Sequence, residues 1–89
     1  MSEQFSGSDR ADYLNRALED SDPNEFVRAL ERVAKAQGMA EVAKASGLTR
    51  ERLEKALSGE SSPRFDTILR VCKALGVKLV VQPVAASHA

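Results

Sequence analysis

Apolar residues recur every three or four positions along most of this chain, which is the spacing that places them on one side of an α-helix. Glycine or proline interrupts this pattern at intervals and divides it into separate segments. The pattern predicts five helices, at about residues 9–20, 23–37, 39–46, 50–57 and 66–75. We therefore expect an all-α domain.

The clearest boundaries belong to the second predicted helix. Asp22 can act as its N-cap, Pro23 suits the first helical position, and Glu25 can complete a capping box. Gly38 is expected to end this helix, because glycine readily adopts the backbone conformation found just after a helix C-terminus. Gly47 is expected to end the third helix for the same reason.

A different pattern follows the fifth helix. Residues 77–82 are rich in Val and Leu and precede Pro83, which predicts a short β-strand. A single strand has unpaired backbone groups on both edges, and nothing else in the chain is available to pair with it. We therefore expect a homodimer in which two copies pair these strands and bury Val77, Leu79 and Val81.

The length of 89 residues fits a single domain, expected at residues 9–83 with flexible tails at 1–8 and 84–89. The fifth helix is expected to bury one apolar stripe that contributes to the core of this domain. The stripe comprises Ile68, Leu69, Cys72 and Leu75, with Phe65 packing at the helix entry.

Residues 39–58 are the segment of the chain that indicates a function. The two short helices in this stretch meet at Gly47, and their steep crossing requires a small residue on the first helix, which Ala43 supplies. Leu48 and Leu53 are then positioned to pack the second helix against the first. This arrangement predicts a helix-turn-helix.

The outward face of the second helix in this stretch is the predicted DNA-binding surface. Arg50, Glu51 and Lys55 lie on its N-terminal and central part, which a recognition helix presents to base edges. Flanking polar side chains are expected on the DNA backbone. The predicted DNA-binding residues are Thr49, Arg50, Glu51, Arg52, Lys55, Ser58 and Arg64.

The same residues allow a second interpretation. Arg50, Arg52 and Lys55 can belong to a solvated helix face on which they pair with Glu51 and Glu54. The position of these residues beside the predicted turn favours DNA contact over the solvated face.

The spacing within this stretch resembles the lambda-repressor-like (Cro or XRE) helix-turn-helix. Such motifs have a small residue at the fifth position, glycine at the ninth, and hydrophobic residues at the tenth and fifteenth, here Ala43, Gly47, Leu48 and Leu53. The resemblance covers about residues 25–77. It implies a five-helix DNA-binding domain, here with one short C-terminal strand.

A narrower resemblance, to the addiction-module antidote proteins or HigA-type antitoxins, covers nearly the whole chain. It implies a dimeric antitoxin that represses its own operon and binds a RelE/ParE-like toxin. The residues that carry it are Tyr13-Leu14, Ala17-Leu18-Glu19-Asp20, Asp22-Pro23, Phe26, Ala29-Leu30, Val33-Ala34-Lys35-Ala36 and Gly38-Met39.

Charge is divided unevenly along the chain although the net charge is zero. Residues 1–31 have a net charge of minus five, and residues 32–89 have plus five. Toxins that act on RNA should be basic, so the acidic half is a candidate toxin-binding surface. The residues expected to contribute are Glu19, Asp20, Glu25 and Glu31. Alternatively, acids of this half only cap helices and favour the helix dipole.

An enzyme is not expected. Catalysis would need a nucleophile with a base or a metal cluster, and the single cysteine, Cys72, and single histidine, His88, lie in unrelated places. No cofactor or metal is expected, and the absence of a signal peptide or membrane span predicts a cytoplasmic protein. The remaining alternatives are a protein-interaction module and a general XRE-type regulator without a toxin partner.

Overall fold

The computed structural model describes residues 7–59 and 62–83, which form five α-helices and contain no β-strand. The all-helical architecture predicted from the apolar pattern is thus confirmed for this part of the chain. None of its helices is both long enough and apolar enough to cross a membrane. The helices are α1 (Gly7–Leu18), α2 (Pro23–Gln37), α3 (Met39–Ser46), α4 (Arg50–Leu57) and α5 (Phe65–Ala74).

Local signals fix the ends of α2 as the sequence predicts. The side chain of Asp22 accepts a hydrogen bond from the backbone N–H of Asn24 at 3.0 Å, and Pro23 begins the helix. Gly38 follows the helix with a φ of 116°, and its N–H donates to the carbonyl of Ala34. The predicted capping box is not formed, because the N–H of Asp22 donates to Asp20 at 2.9 Å and the Glu25 side chain pairs with Arg28 at 3.3 Å.

The core is built around α2, which contacts α1, α3 and α4, while α5 packs on α3. Leu30, Val33 and Ala34 are almost fully buried along one side of α2. Leu53 and Leu57 of α4 are equally inaccessible and join the same apolar cluster. The short helices α3 and α4 are therefore held in place by the longest helix of the fold.

Three side-chain hydrogen bonds tie the helices together at the edge of this core. Arg10 Nε on α1 donates to the carbonyl of Leu75 at 3.0 Å, and Gln37 Nε2 on α2 donates to that of Ala74 at 3.4 Å. Arg32 on α2 also donates to the Tyr13 hydroxyl on α1 at 2.9 Å. The C-terminal end of α5 is thus held by two other helices.

The predicted strand at residues 77–82 is not formed, because the single chain contains no second strand in its described residues to pair with it. Residues 77–83 have no regular secondary structure. Val77 and Leu79 are partly buried against the core of their own chain, whereas Val81 is 97% exposed.

The predicted burial of Phe65 and Leu69 is wrong, since Phe65 is 68% exposed and Leu69 is 38% exposed. The inward stripe of α5 instead consists of Ile68, Val71 and Cys72, continued by Leu75 just beyond the helix. At about 100° per residue, positions 65 and 69 lie together on one flank of that stripe.

The observed starts of two helices differ slightly from the predicted ones. Helix α1 begins at Gly7, two residues before the predicted start, and α5 begins at Phe65 instead of residue 66. The tails expected at residues 1–8 and 84–89 lie outside the described residues, except for the last two residues of the first tail.

Replacing Gly47 by Ala tests the turn between α3 and α4. Gly47 has a φ of 79°, which costs an L-residue with a Cβ about 1–2 kcal/mol. An added Cβ would make only ordinary contact, 3.5 Å from Arg70 Nη1, so the cost comes from the backbone. We expect the free energy of unfolding in urea to fall by that amount.

Gly47→Asn is the control, because asparagine tolerates the left-handed conformation better than alanine. It should destabilise the protein less than Gly47→Ala. Equal stability of the alanine variant and the parent chain would show that this turn does not constrain the fold.

Candidate nucleic-acid interface

The turn between α3 and α4 is tight and ordered by hydrogen bonds. Helix α3 ends at Ser46, whose hydroxyl donates to the carbonyl of Ala43 at 3.0 Å. Gly47 adopts the left-handed conformation, and the N–H of Leu48 returns to the same Ala43 carbonyl at 3.0 Å. The chain thereby reverses direction within a few residues.

Helix α4 begins immediately after this turn. Thr49 is its N-cap, as its hydroxyl oxygen accepts a hydrogen bond from the N–H of Arg52 at 3.1 Å. Ala43 and Leu53 are buried, and Leu48 is partly buried against the core. The three apolar positions of the predicted helix-turn-helix are therefore turned toward the core, as the sequence predicts, and Gly47 supplies the turn.

The opposite face of α4 is open to solvent. Glu54 lies in the middle of this face and is flanked on both sides by the predicted DNA-binding residues. All of those residues are exposed, namely Thr49, Arg50, Glu51, Arg52, Lys55, Ser58 and Arg64. Burial alone does not separate a DNA-binding face from a solvated one.

Two of these cations make ion pairs on the surface. Arg50 Nε lies 3.1 Å from a Glu54 carboxylate oxygen, and Arg64 Nε lies 3.3 Å from an Asp66 oxygen. Pairs of the first kind, four residues apart on an exposed helix, stabilise by only about 0.3–0.5 kcal/mol. Both arginines can exchange these partners for a stronger acceptor. Within residues 7–59 and 62–83, no ion pair involves Arg52 or Lys55.

One basic side chain at this surface was not predicted from the sequence. Arg70 projects from α5 toward the turn, with its Nη1 3.5 Å from the position that a Cβ on Gly47 would occupy. Only the packing of α5 on α3 brings it there, so no local sequence signal marks it. Arg70 is exposed and extends the basic residues of α4 across the turn.

The four acids proposed for toxin binding do not form one cluster. Asp20 and Glu25 line the same shallow depression between α1 and α2, together with Arg16 and Arg32. Glu31 lies farther along α2 and pairs with Lys35 at 3.5 Å. An Asp20 carboxylate oxygen accepts from the N–H of Asp22 at 2.9 Å, which agrees with a local structural role for that acid.

Three further kinds of side chain in the sequence are candidates for chemistry, namely acids, Cys72 and His88. Within residues 7–59 and 62–83, no three His, Cys, Asp or Glu side chains gather to form a potential metal site. Cys72 is buried in α5, and desolvation raises the pKa of its thiol. His88 lies outside the described residues.

Comparison with known proteins assigns the chain to a family. The family described as "probable addiction module antidote protein" matches residues 2–83. The chain belongs to this family. An uncharacterized protein of Haemophilus influenzae is 40% identical to the antidote over 70 residues, which cover 79% of this chain and 72% of the relative. No solved structure matches the antidote chain.

Family membership confirms the antidote resemblance seen in the sequence at the level of its general role. The antidote is the antitoxin of a toxin–antitoxin pair, and its family implies a toxin as partner. The kind of toxin and the surface that binds it are separate questions.

The burial of Cys72 in the antidote predicts an unreactive thiol. The raised pKa lowers the fraction of Cys72 that is thiolate, and the exposure of only 1% keeps reagents away from the sulfur. An aromatic disulfide reagent should therefore react slowly with the folded protein. Reaction should be fast and stoichiometric in concentrated urea. Equally fast reaction in the absence of urea would contradict the burial of this side chain.

Proposed function

We propose that this antidote is a sequence-specific DNA-binding repressor that binds its own operon as a homodimer in the cytoplasm. In this proposal it has a lambda-repressor-like helix-turn-helix, has no enzymatic activity, and neutralises a RelE/ParE-like toxin. The observation that supports DNA binding best is the tight turn from α3 to α4 at Gly47, which leaves one face of α4 fully open.

The chemistry of that face suits the major groove. Arg50 offers a planar pair of donors that matches O6 and N7 of guanine, and Glu51 can accept a hydrogen bond from N4 of cytosine. Lys55 lies one turn farther along the same helix and supplies a positive charge near the bases or phosphates. These contacts predict a preference for G·C pairs at the operator positions that they reach.

Basic residues around the centre of the recognition face would hold the protein on the DNA backbone. Arg52 lies within α4, Arg64 lies in the segment before α5, and Arg70 of α5 lies beside the turn; all three are exposed cations. Because the net charge of the chain is zero, the attraction to phosphates has to come from this local group of basic residues. Binding should therefore weaken markedly with added salt.

The dimer would form through the segment after α5. Val80 and Val81 are exposed apolar residues, and the backbone of residues 77–83 makes no ladder with the rest of the described chain. Antiparallel pairing with a second copy would satisfy that backbone and cover Val81, which shares one face of the strand with Val77 and Leu79. A two-fold axis there can present two recognition helices about 34 Å apart, the spacing of successive major grooves.

One observation favours an alternative function, namely that of a protein-interaction module that does not bind DNA. The Arg50–Glu54 ion pair is what a solvated helix face would show. Retention on heparin or on DNA at low salt separates the two functions, because the interaction module should not be retained.

Replacing Arg50 by Ala tests the recognition helix. Loss of a bidentate contact with guanine should weaken binding to operator DNA by about 1–3 kcal/mol and relax specificity at one base pair. The measurement is fluorescence anisotropy with DNA from upstream of the antidote's own operon. Arg64→Ala should instead weaken binding to all sequences alike and reduce the salt dependence by about one unit.

Arg16→Ala is the matched control for these variants. It removes an exposed arginine from α1, which packs on α2. Its DNA affinity should equal that of the parent chain. Unchanged operator binding by Arg50→Ala would rule out the proposed docking of α4.

Replacing both Val80 and Val81 by Lys tests the dimer. Four added charges at the paired segments should prevent association, so sedimentation at micromolar concentration should show a monomer with most of its DNA affinity lost. These point variants are preferable to truncation after Gly76, which also removes Leu79 from the core. A monomeric parent chain under the same conditions would contradict the proposed dimer.

A further inference from the structure

An apolar trough crosses the face formed by the end of α1, the start of α2 and the start of α5. It consists of two adjoining depressions of about 280 and 340 Å³, which share Leu18, Phe26 and Leu79. Its floor is part of the core, since Phe26 and Ile68 are buried. Neither Arg50 nor Lys55 of α4 lines it.

Large apolar side chains stand exposed at the edge of the trough. Phe65 is 68% exposed and Leu18 is 49% exposed, and both line the depression between α2 and α5. Soluble proteins rarely leave a contiguous apolar surface open unless something binds there. Aromatic side chains such as that of Phe65 are enriched at protein interfaces, and the centres of interfaces are more apolar than the rest of the surface.

The turn between α1 and α2 borders the trough, since Leu18 and Pro23 on either side of this turn both line the depression. The turn carries three exposed acids, Glu19, Asp20 and Asp22, which form an acidic rim. Asp20 also lines the neighbouring depression between α1 and α2, and Asp22 caps α2 and pairs with Arg28 at 3.2 Å. Lys78 is the one charged residue among the described lining residues of the two depressions, and it lies at the other end, next to Val77. The acidic rim belongs to the half of the chain with a net charge of minus five.

The charge of the acidic rim limits which kind of molecule can bind in the trough. A DNA backbone would be repelled by the acidic rim. A second copy of the chain, docked symmetrically through the trough, would bring a second acidic rim into the same interface. A basic polypeptide with an apolar segment complements both the trough and its rim.

We propose that the apolar trough is the toxin-docking surface of this antidote. The toxin places an apolar side chain between Leu18 and Phe65 and sets basic residues against Glu19 and Asp20. This inference rests on the toxin partner of the proposed function and adds where that partner binds. It replaces the dispersed set of four acids with a surface on which Glu25 and Glu31 have no direct part.

The two parts of this surface should affect binding differently. Apolar anchors that fill a groove determine mainly how slowly a complex dissociates, whereas exposed charges at a rim change mainly the association rate and its salt dependence. Kinetic measurements can therefore distinguish the trough from its rim.

The experiment uses the full chain and the toxin encoded beside it in the operon, with binding rates measured by surface interferometry. Leu18→Ser and Phe65→Ser should each weaken binding by about 10- to 100-fold, chiefly through faster dissociation. Leu69→Ser is the matched control, because it removes an exposed apolar side chain that does not line the trough. This control should stay within about twofold of the parent chain.

A second pair of variants tests the rim. Replacing Glu19 by Gln together with Asp20 by Asn should slow association by about threefold or more at low salt, with little change in dissociation. Glu31→Gln is its control on α2 and should leave both rates unchanged. Melting temperature and operator binding are measured for every variant, and Leu18→Ser should preserve both.

The outcomes separate this inference from the function on which it rests. Tight toxin binding that Leu18→Ser and Phe65→Ser leave unchanged would overturn the trough as docking surface while the toxin partnership stands. Loss of self-association in these variants, with toxin binding intact, would assign the trough to a second copy and also overturn it. Failure of the parent chain to bind the toxin would remove the partner itself.

Discussion

Burial of one side of α2 is the interaction on which the rest of this structure depends. Leu30, Val33 and Ala34 are nearly inaccessible, and α1, α3 and α4 all pack against the helix that carries them. Removing the Leu30 side chain from such a site would cost about 2–5 kcal/mol, a large fraction of the stability of a small domain. Helices α3 and α4 keep their positions relative to each other because both of them pack against α2.

Features with local causes were predictable from the sequence. The Asp22 and Thr49 caps, the left-handed Gly47 and the inward Leu53 each depend on residues a few positions away, and all are found where expected. Features with distant causes were not. The exposure of Phe65 depends on which flank of α5 meets the core, and the position of Arg70 depends on how α5 packs on α3.

The candidate site shows the same division. Sequence spacing was sufficient to place the exposed residues of α4 together, because one helix carries them. Sequence spacing was not sufficient to predict whether residues 77–82 form a strand. A β-ladder needs a partner segment, and the described part of the single chain does not supply one. The four acids proposed from the sequence for toxin binding lie partly in the turn after α1 and partly on α2, whereas the apolar trough is marked by no linear pattern.

The hydrogen bond from Arg10 to the Leu75 carbonyl joins positions 65 residues apart and closes the described chain almost end to end. Fraying of α1 past Arg10 therefore breaks one of the two side-chain bonds that hold the end of α5, and loosening of that end removes a contact of α1. Such reciprocal contacts merge segments into one cooperative unit in hydrogen exchange. Amide protons of α1 should then share the protection of α5, although α1 lies at the edge of the fold.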